Sequence, residues 1–250
     1  MSQNKNIHLP KFKINKINKI NKINKINKIK IKSKYIMTIQ LSLVNKTISV
    51  VAKRNSGKSV LIRYLVNQQK RFFSKIFVIC PTESINPFYN KITKDDCIFD
   101  EWNEVWANEL IERMTKINAN KNTRERKNVL IILDDCMSDI DFNQSMALKK
   151  IYTRGRHFNL SIIATCQYLN TLPKICRSNC DILISGQMNL CSIEMLANEY
   201  CCNLNKKEFI ALFNRSTNDY GFLVVNNNSV KENDDLNVIY GQIKTPYEYL

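Results

Sequence analysis

The feature that most narrows the possible folds is an alternation between two hydrophobic patterns. Short β-branched runs occur at Thr47–Val51, Lys75–Cys80, Val129–Leu133, Leu160–Ala164, Asp181–Ile184, Tyr220–Val225 and Val238–Ile243. Most are apolar at consecutive positions, as expected of strands covered on both faces. Between them, Ser59–Lys70, Glu104–Lys116, Ser145–Tyr152, Ile193–Cys201 and Lys206–Phe213 carry apolar residues at helical spacing. The alternation predicts an α/β fold: a mostly parallel sheet with helices on both faces and right-handed crossovers. The last two strands lie close in sequence and are expected as an antiparallel edge hairpin. With five glycines and five prolines in 250 residues, long irregular loops should be few, and the polar stretch 118–128 is the main loop candidate.

The alternation begins only near Thr38. Before it, Lys-Ile-Asn repeats with period three from Lys13 to Lys28. On a helix each repeat turns the isoleucines by about 60°, so no single face collects them. Residues 1–36 are therefore read as a low-complexity, disordered cationic tail, and 37–250 as the folded domain. Eleven lysines and no acid fall within residues 1–34, which supplies most of the net charge of +16. The tail suits non-specific contact with DNA phosphates, or is simple repeat expansion.

Composition excludes several classes. A 44% hydrophobic and 24% charged chain is neither wholly disordered nor collagen-like. No apolar run approaches the ~20 residues of a membrane span. The lysine-rich start has no secretory pattern, and the nine scattered cysteines form no tight ligand pair, so buried thiols in a reducing intracellular compartment are expected.

Chemistry enters where Thr47–Val51 runs into Ala52-Lys53-Arg54-Asn55-Ser56-Gly57-Lys58-Ser59 and then a helix. Strand, phosphate loop and helix stand in the required order. Backbone N–H groups around Asn55, Ser56 and Gly57 would wrap the phosphates of ATP, with Lys53 and Arg54 completing the loop. Lys58 would reach the β- and γ-phosphates, and the Ser59 hydroxyl would ligate Mg²⁺. The consensus first glycine is Ala52 here, acceptable only if φ stays negative.

A carboxylate partner follows Val129–Leu133 as Asp134-Asp135. Acids at the C-terminal end of a buried strand lie where open α/β sheets bind ligands. Asp134 is expected to hold Mg²⁺, and Asp135 to orient the attacking water. Farther along, the basic run Arg154-Gly155-Arg156-His157 leads into Leu160–Ala164, and that strand would bring Gln167 to the same edge as the acids.

Together with Pro173, Arg177, Ser178 and Asn179, these motifs resemble the genome-packaging ATPases of large DNA viruses, the poxvirus-type branch of the FtsK/HerA translocase superfamily. The resemblance spans about residues 50–185 and implies a RecA-like P-loop NTPase that closes into a homo-oligomeric ring. It implies ATP hydrolysis with Mg²⁺, threading of double-stranded DNA into a capsid at a portal-like vertex, and a place in the host cytoplasm. It further implies an arginine acting across the subunit boundary, for which Arg154, Arg156 and Arg177 are the candidates, at least one of them being structural. Surface lysines and arginines at Lys121, Arg124, Arg126, Lys127, Lys149, Lys150, Lys206 and Lys207 could line a DNA path but are more simply solvated faces. Trp102 and Trp106, four apart on an expected helix, read as core anchors. A terminase-type ATPase, a nucleotide kinase and a DNA- or capsid-binding scaffold without turnover are the competing readings, the last resting on Ala52 alone.

Overall fold

The computed structural model describes residues 40–136, 143–202, 204–229 and 240–249. The expected tail at 1–36 lies outside them. Eight strands form one sheet: β1 (Thr47–Val51), β2 (Lys75–Ile79), β3 (Ile98–Phe99), β4 (Val129–Leu133), β5 (Leu160–Cys166), β6 (Ile182–Ser185), β7 (Gly221–Asn226) and β8 (Tyr240–Lys244). Among the described residues six α-helices accompany them: α1 (Lys58–Gln69), α2 (Glu104–Asn118), α3 (Met146–Arg154), α4 (Lys174–Ser178), α5 (Leu190–Tyr200) and α6 (Lys206–Ser216).

The strand order is β3-β2-β4-β5-β1-β6-β7-β8. Strands β3 to β6 in that order are all parallel, and β7 and β8 are antiparallel to their neighbours. The switch at β6 has a simple cause. Both α5 and α6 lie between β6 and β7, so the chain returns from the far end of the sheet rather than the near one. Residues 238 and 239 of the last expected strand lie outside the described residues, and β8 pairs antiparallel with β7 as expected.

Each central strand is buried along its whole length and feeds two separate cores. On one face Leu61, Ile62, Leu65 and Val66 of α1 pack on Ile48, Val50, Leu130, Ile132 and Ile163, with Phe73, Tyr89 and Ile92 beside them. On the other, α2 to α6 cover Val51, Ile131, Leu133, Ile162 and Leu183 through residues such as Ile111, Ile151, Leu196 and Phe213. Each fully buried aliphatic side chain contributes about 1.5–3 kcal/mol by its removal from water. The central strands are thus clamped from both sides, and their C-terminal ends are fixed platforms.

Trp102 precedes α2 rather than standing in it: Asn103 caps the helix by accepting from Trp106 N–H at 2.9 Å. Both tryptophans are half-buried and pack against the larger core, edge to face at 6.2 Å. Of the nine free cysteines, Cys80, Cys97, Cys136, Cys166, Cys176 and Cys180 are buried. Burial pushes the Cys166 and Cys176 thiols up to about 12, which leaves them protonated and unreactive.

Candidate functional site: a phosphate loop facing two aspartates

The loop after β1 is tied at its root to both neighbouring strands. Ala52 N–H donates to Cys166 O at 3.2 Å and Lys53 N–H to Gln187 O at 2.9 Å. Ala52 keeps a negative φ, whereas Asn55 (φ 58°) and Gly57 (φ 86°) take the left-handed conformation. That conformation turns successive N–H groups inward, toward an anion, at the start of α1. The extra methyl of Ala52 has its own accommodation. A Cβ on Gly186, at the end of β6, would fall 2.9 Å from Ala52 Cβ and 2.7 Å from Phe222 Cε1. A glycine across the strand pair therefore makes room for the alanine that replaces one in the loop.

Lys58 folds back over the loop, its Nζ donating to Ala52 O at 2.9 Å and Lys53 O at 3.1 Å. Burial lowers its pKa, opposed by the Asp134 and Asp135 carboxylates. Ser59 Oγ donates to Asp134 Oδ2 at 2.7 Å. Ser56 is 8% exposed, and its Oγ has no hydrogen-bond partner.

Asp134 directly follows β4 and is 5% exposed. Three hydroxyls converge on it: Ser59 and Tyr89 OH (2.7 Å) on Oδ2, and Thr165 Oγ1 (2.8 Å) on Oδ1. Burial, and next the Asp134 charge, push the Tyr89 phenol well up, so it stays a donor. Asp135 turns the other way. It is exposed, takes φ 59°, and accepts from Gln167 Nε2 at 3.4 Å. β4 and β5 pair in parallel register, and this register delivers Gln167 to the same edge.

Lys58, Ser59, Asp134, Asp135 and Gln167 thus stand together at the C-terminal edge of the sheet. The three arginines do not. Arg154 ends α3 and Arg156 lies in the turn before β5, both exposed. They flank the start of the strand that carries Gln167 at its other end, about 20 Å away along seven residues. Arg177 is held within its own chain, by Glu199 at 3.0 and 3.2 Å and by Leu172 O at 2.7 Å.

Two members of the site had no clear signal. Thr165 lies one residue beyond the strand end expected from the apolar run. Tyr89 comes from a segment of short turns whose position is set by Glu83, which accepts from Phe88 N–H (2.7 Å) and Tyr89 N–H (2.6 Å).

The donor set fits Mg²⁺, which prefers one or two protein oxygens plus substrate phosphates and water over a protein cage. A serine hydroxyl beside a buried carboxylate is such a pair. The described residues contain no group of three or more His, Cys, Asp or Glu placed for a metal. None of their helices is long and apolar enough to cross a membrane.

Solved structures share the fold. The chain is similar to B204, the DNA-packaging ATPase from Sulfolobus turreted icosahedral virus, with a TM-score of 0.60 and 16% identity, covering 82% of this chain and 100% of that one. It is also similar to the pCW3 conjugation coupling protein TcpA, with a TM-score of 0.58 and 14% identity, covering 86% and 68% respectively. In sequence it is 30% identical over 184 residues to the uncharacterized protein 075L of Invertebrate iridescent virus 6, covering 73% of this chain and 70% of the relative. Uncharacterized protein 015R of Frog virus 3 (isolate Goorha) is 22% identical over 211 residues, covering 84% of this chain and 65% of the relative. The family model described as Poxvirus A32 protein matches residues 34–243, and the chain belongs to that family.

Proposed function

We propose that this chain is an ATP-driven double-stranded DNA translocase that packages a viral genome, hydrolysing ATP with Mg²⁺. The observation that carries the reading is the meeting of Lys58, Ser59, Asp134, Asp135 and Gln167 at one sheet edge. Family membership and a fold shared with a packaging ATPase support it.

In this reading the N–H groups of the loop and α1 bind the β-phosphate, and Lys58 leaves its two carbonyl partners to meet the β- and γ-oxygens. Ser59 and Asp134 hold Mg²⁺, which when bound neutralises charge on the β- and γ-phosphates. Tyr89 and Thr165 keep Asp134 in position. Asp135, exposed and facing away from that cluster, accepts a hydrogen bond from the attacking water and takes up its proton as the water oxygen bonds to the γ-phosphorus and the bond to the β,γ-bridging oxygen breaks, releasing ADP and phosphate. Gln167 fixes the Asp135 carboxylate and, through its amide, distinguishes a site with a γ-phosphate from one without.

Residues 37–250 form the ATPase domain of the proposed motor, and residues 1–36 a cationic tail that hydrolysis does not require. Subunits assemble into a ring around DNA, and Arg154 or Arg156 reaches a neighbour's γ-phosphate; Arg177, already paired with Glu199, has a structural part. A portal-like capsid vertex is the docking partner. Ala52 keeps a negative φ beside Gly186, which supports an intact phosphate loop over the scaffold reading. The test is ATP hydrolysis by the full chain with and without long duplex DNA. Turnover stimulated by DNA is expected; turnover requiring a small acceptor instead would point to a kinase, and no turnover at all would defeat the proposal.

A further inference from the structure

Tyr220 is a bulky side chain beside the phosphate loop whose backbone is held at a sterically costly positive φ. Asp219 and Tyr220 both take φ 52° within a turn closed by Gly221 N–H on Asn218 O at 3.0 Å. Two consecutive left-handed residues make the type I′ pattern, which favours Asn, Asp and Gly. Asp219 suits it and is tied by Lys244 at 3.1 Å. A tyrosine does not suit it: a bulky residue at positive φ is an outlier, and such outliers gather at ligand clamps. Nor does burial account for the choice, since Tyr220 is 50% exposed.

Its location is specific. A Cβ built on Gly57 would meet Tyr220 Cδ1 at 3.6 Å, so the ring stands beside the left-handed glycine that opens α1. Ser56, the preceding loop residue, holds its buried Oγ without a partner, which marks the same stretch as built for a ligand. The sheet order then gives the ligand a direction. Asp135 and Gln167 lie at the ends of β4 and β5, on one side of β1; Tyr220 precedes β7, on the other. A triphosphate with its γ end at Asp135 and Gln167 has room to run its α end across Gly57 toward β6 and β7.

We infer that Tyr220 is the stacking platform for the base of the bound nucleotide. The inference rests on the phosphate-site reading above and extends it to the other end of the ligand. An exposed phenol ring offers its face to any nucleobase, and the hydrogen-bonded turn fixes the backbone that carries it, so little backbone freedom is lost on binding. Asp219 and Lys244 fix the turn and serve as positioning residues.

The experiment compares binding of ATP and of inorganic tripolyphosphate, each with Mg²⁺, to the full chain and to Tyr220→Ala, Tyr220→Gly and Tyr220→Phe. Loss of one base stack weakens ATP binding by about tenfold. The Ala and Gly variants should show this loss with tripolyphosphate binding unchanged, and the Phe variant should bind ATP like the parent. Glycine accepts φ 52° freely, so Tyr220→Gly should melt no lower than the parent, which separates a lost base contact from a damaged fold. Equal losses for both ligands, or undiminished ATP binding by the Ala and Gly variants, would overturn the assignment. If the parent binds neither ligand, the phosphate-site reading itself fails, a distinguishable result that removes the base platform with it.

Discussion

The Thr165 hydroxyl joins the two aspartates of the site, donating to Asp134 Oδ1 at 2.8 Å and accepting the N–H of Asp135 at 3.0 Å. One side chain on β5 thereby fixes both the inward carboxylate and the left-handed turn that throws the other outward. Thr165→Val keeps the branched shape but leaves a buried acceptor and a backbone donor unpaired, at a cost of about 1–3 kcal/mol. Denaturant unfolding should show that loss, and kcat should fall about tenfold or more as Asp135 loses its placement. Thr165→Ser should restore most of both. A valine variant with parental stability and turnover would show that the bridge is incidental.

Asp135→Asn is expected to separate binding from chemistry. Asparagine tolerates φ 59° nearly as well as aspartate, so the turn survives, while the amide cannot take up a proton. Affinity for ATP should stay within about twofold, and kcat should fall at least about 100-fold. Isothermal titration paired with a phosphate-release assay measures both; substantial residual turnover would move the base elsewhere.

Much of this was legible in the sequence, for identifiable reasons. Val129–Leu133 is apolar at every position and Thr47–Val51 at three of five, with Thr47 and Ser49 buried as well, because both faces of the sheet are covered, and each motif sits at the end of such a run. The lysine, the acids and Gln167 were thus placed by local pattern together with the rule that parallel strands end on one edge. Other features depend on contacts between distant segments. Tyr89 reaches Asp134 only because Glu83 gathers the turn before it, and nothing in residues 80–97 announces that. β3 with two residues and α4 with five are too short to show a period. The direction of β7 depends on where α5 and α6 return the chain, which hydrophobic periodicity does not encode. Trp102 was expected on the helix because apolar spacing alone does not mark the cap at Asn103.

The Ala52–Gly186 pairing makes a stability prediction. Gly186→Ala places a methyl 2.9 Å from Ala52 Cβ and 2.7 Å from Phe222 Cε1, and overpacking of this kind costs about 1–3 kcal/mol. Adding Ala52→Gly removes one of the two clashes, so the double variant should recover part of the loss. A double-mutant cycle by chemical denaturation reads the coupling; strict additivity would mean that the two positions do not sense each other.

Lys58 supplies a pH signature. Its pKa is lowered in the free protein by burial, so between that value and the ordinary 10.5 the folded protein binds fewer protons than the unfolded chain. Stability contributed through this group therefore rises with pH across that alkaline window and gives nothing extra below it. A bound triphosphate surrounds the ammonium with negative charge and raises its pKa again. Nucleotide binding in that window should take up protons, seen as a dependence of titration heat on the ionisation enthalpy of the buffer. Lys58→Met should abolish the uptake; uptake that persists in the variant would assign it to another group.

The arginines test assembly. Arg154 and Arg156 are exposed and flank the start of β5, a strand's length from their own chain's Gln167, so their only route to a γ-phosphate is through a second subunit. Arg177 differs, being engaged twice by Glu199 and once by Leu172 O. Arg154→Ala and Arg156→Ala should leave the melting temperature nearly unchanged, since exposed side chains contribute little to stability. Arg177→Ala should lower it by leaving Glu199 and a carbonyl without their partner. When each variant is titrated into parental protein on duplex DNA, ATPase activity should fall faster than linearly for whichever of Arg154 and Arg156 acts in trans. The reason is arithmetic: one defective donor silences a neighbour's intact site as well as its place in a coordinated ring. A strictly linear decline for both would leave the proposed ring without its arginine, and superlinear loss for Arg177→Ala alone would reverse the assignment made from its contacts.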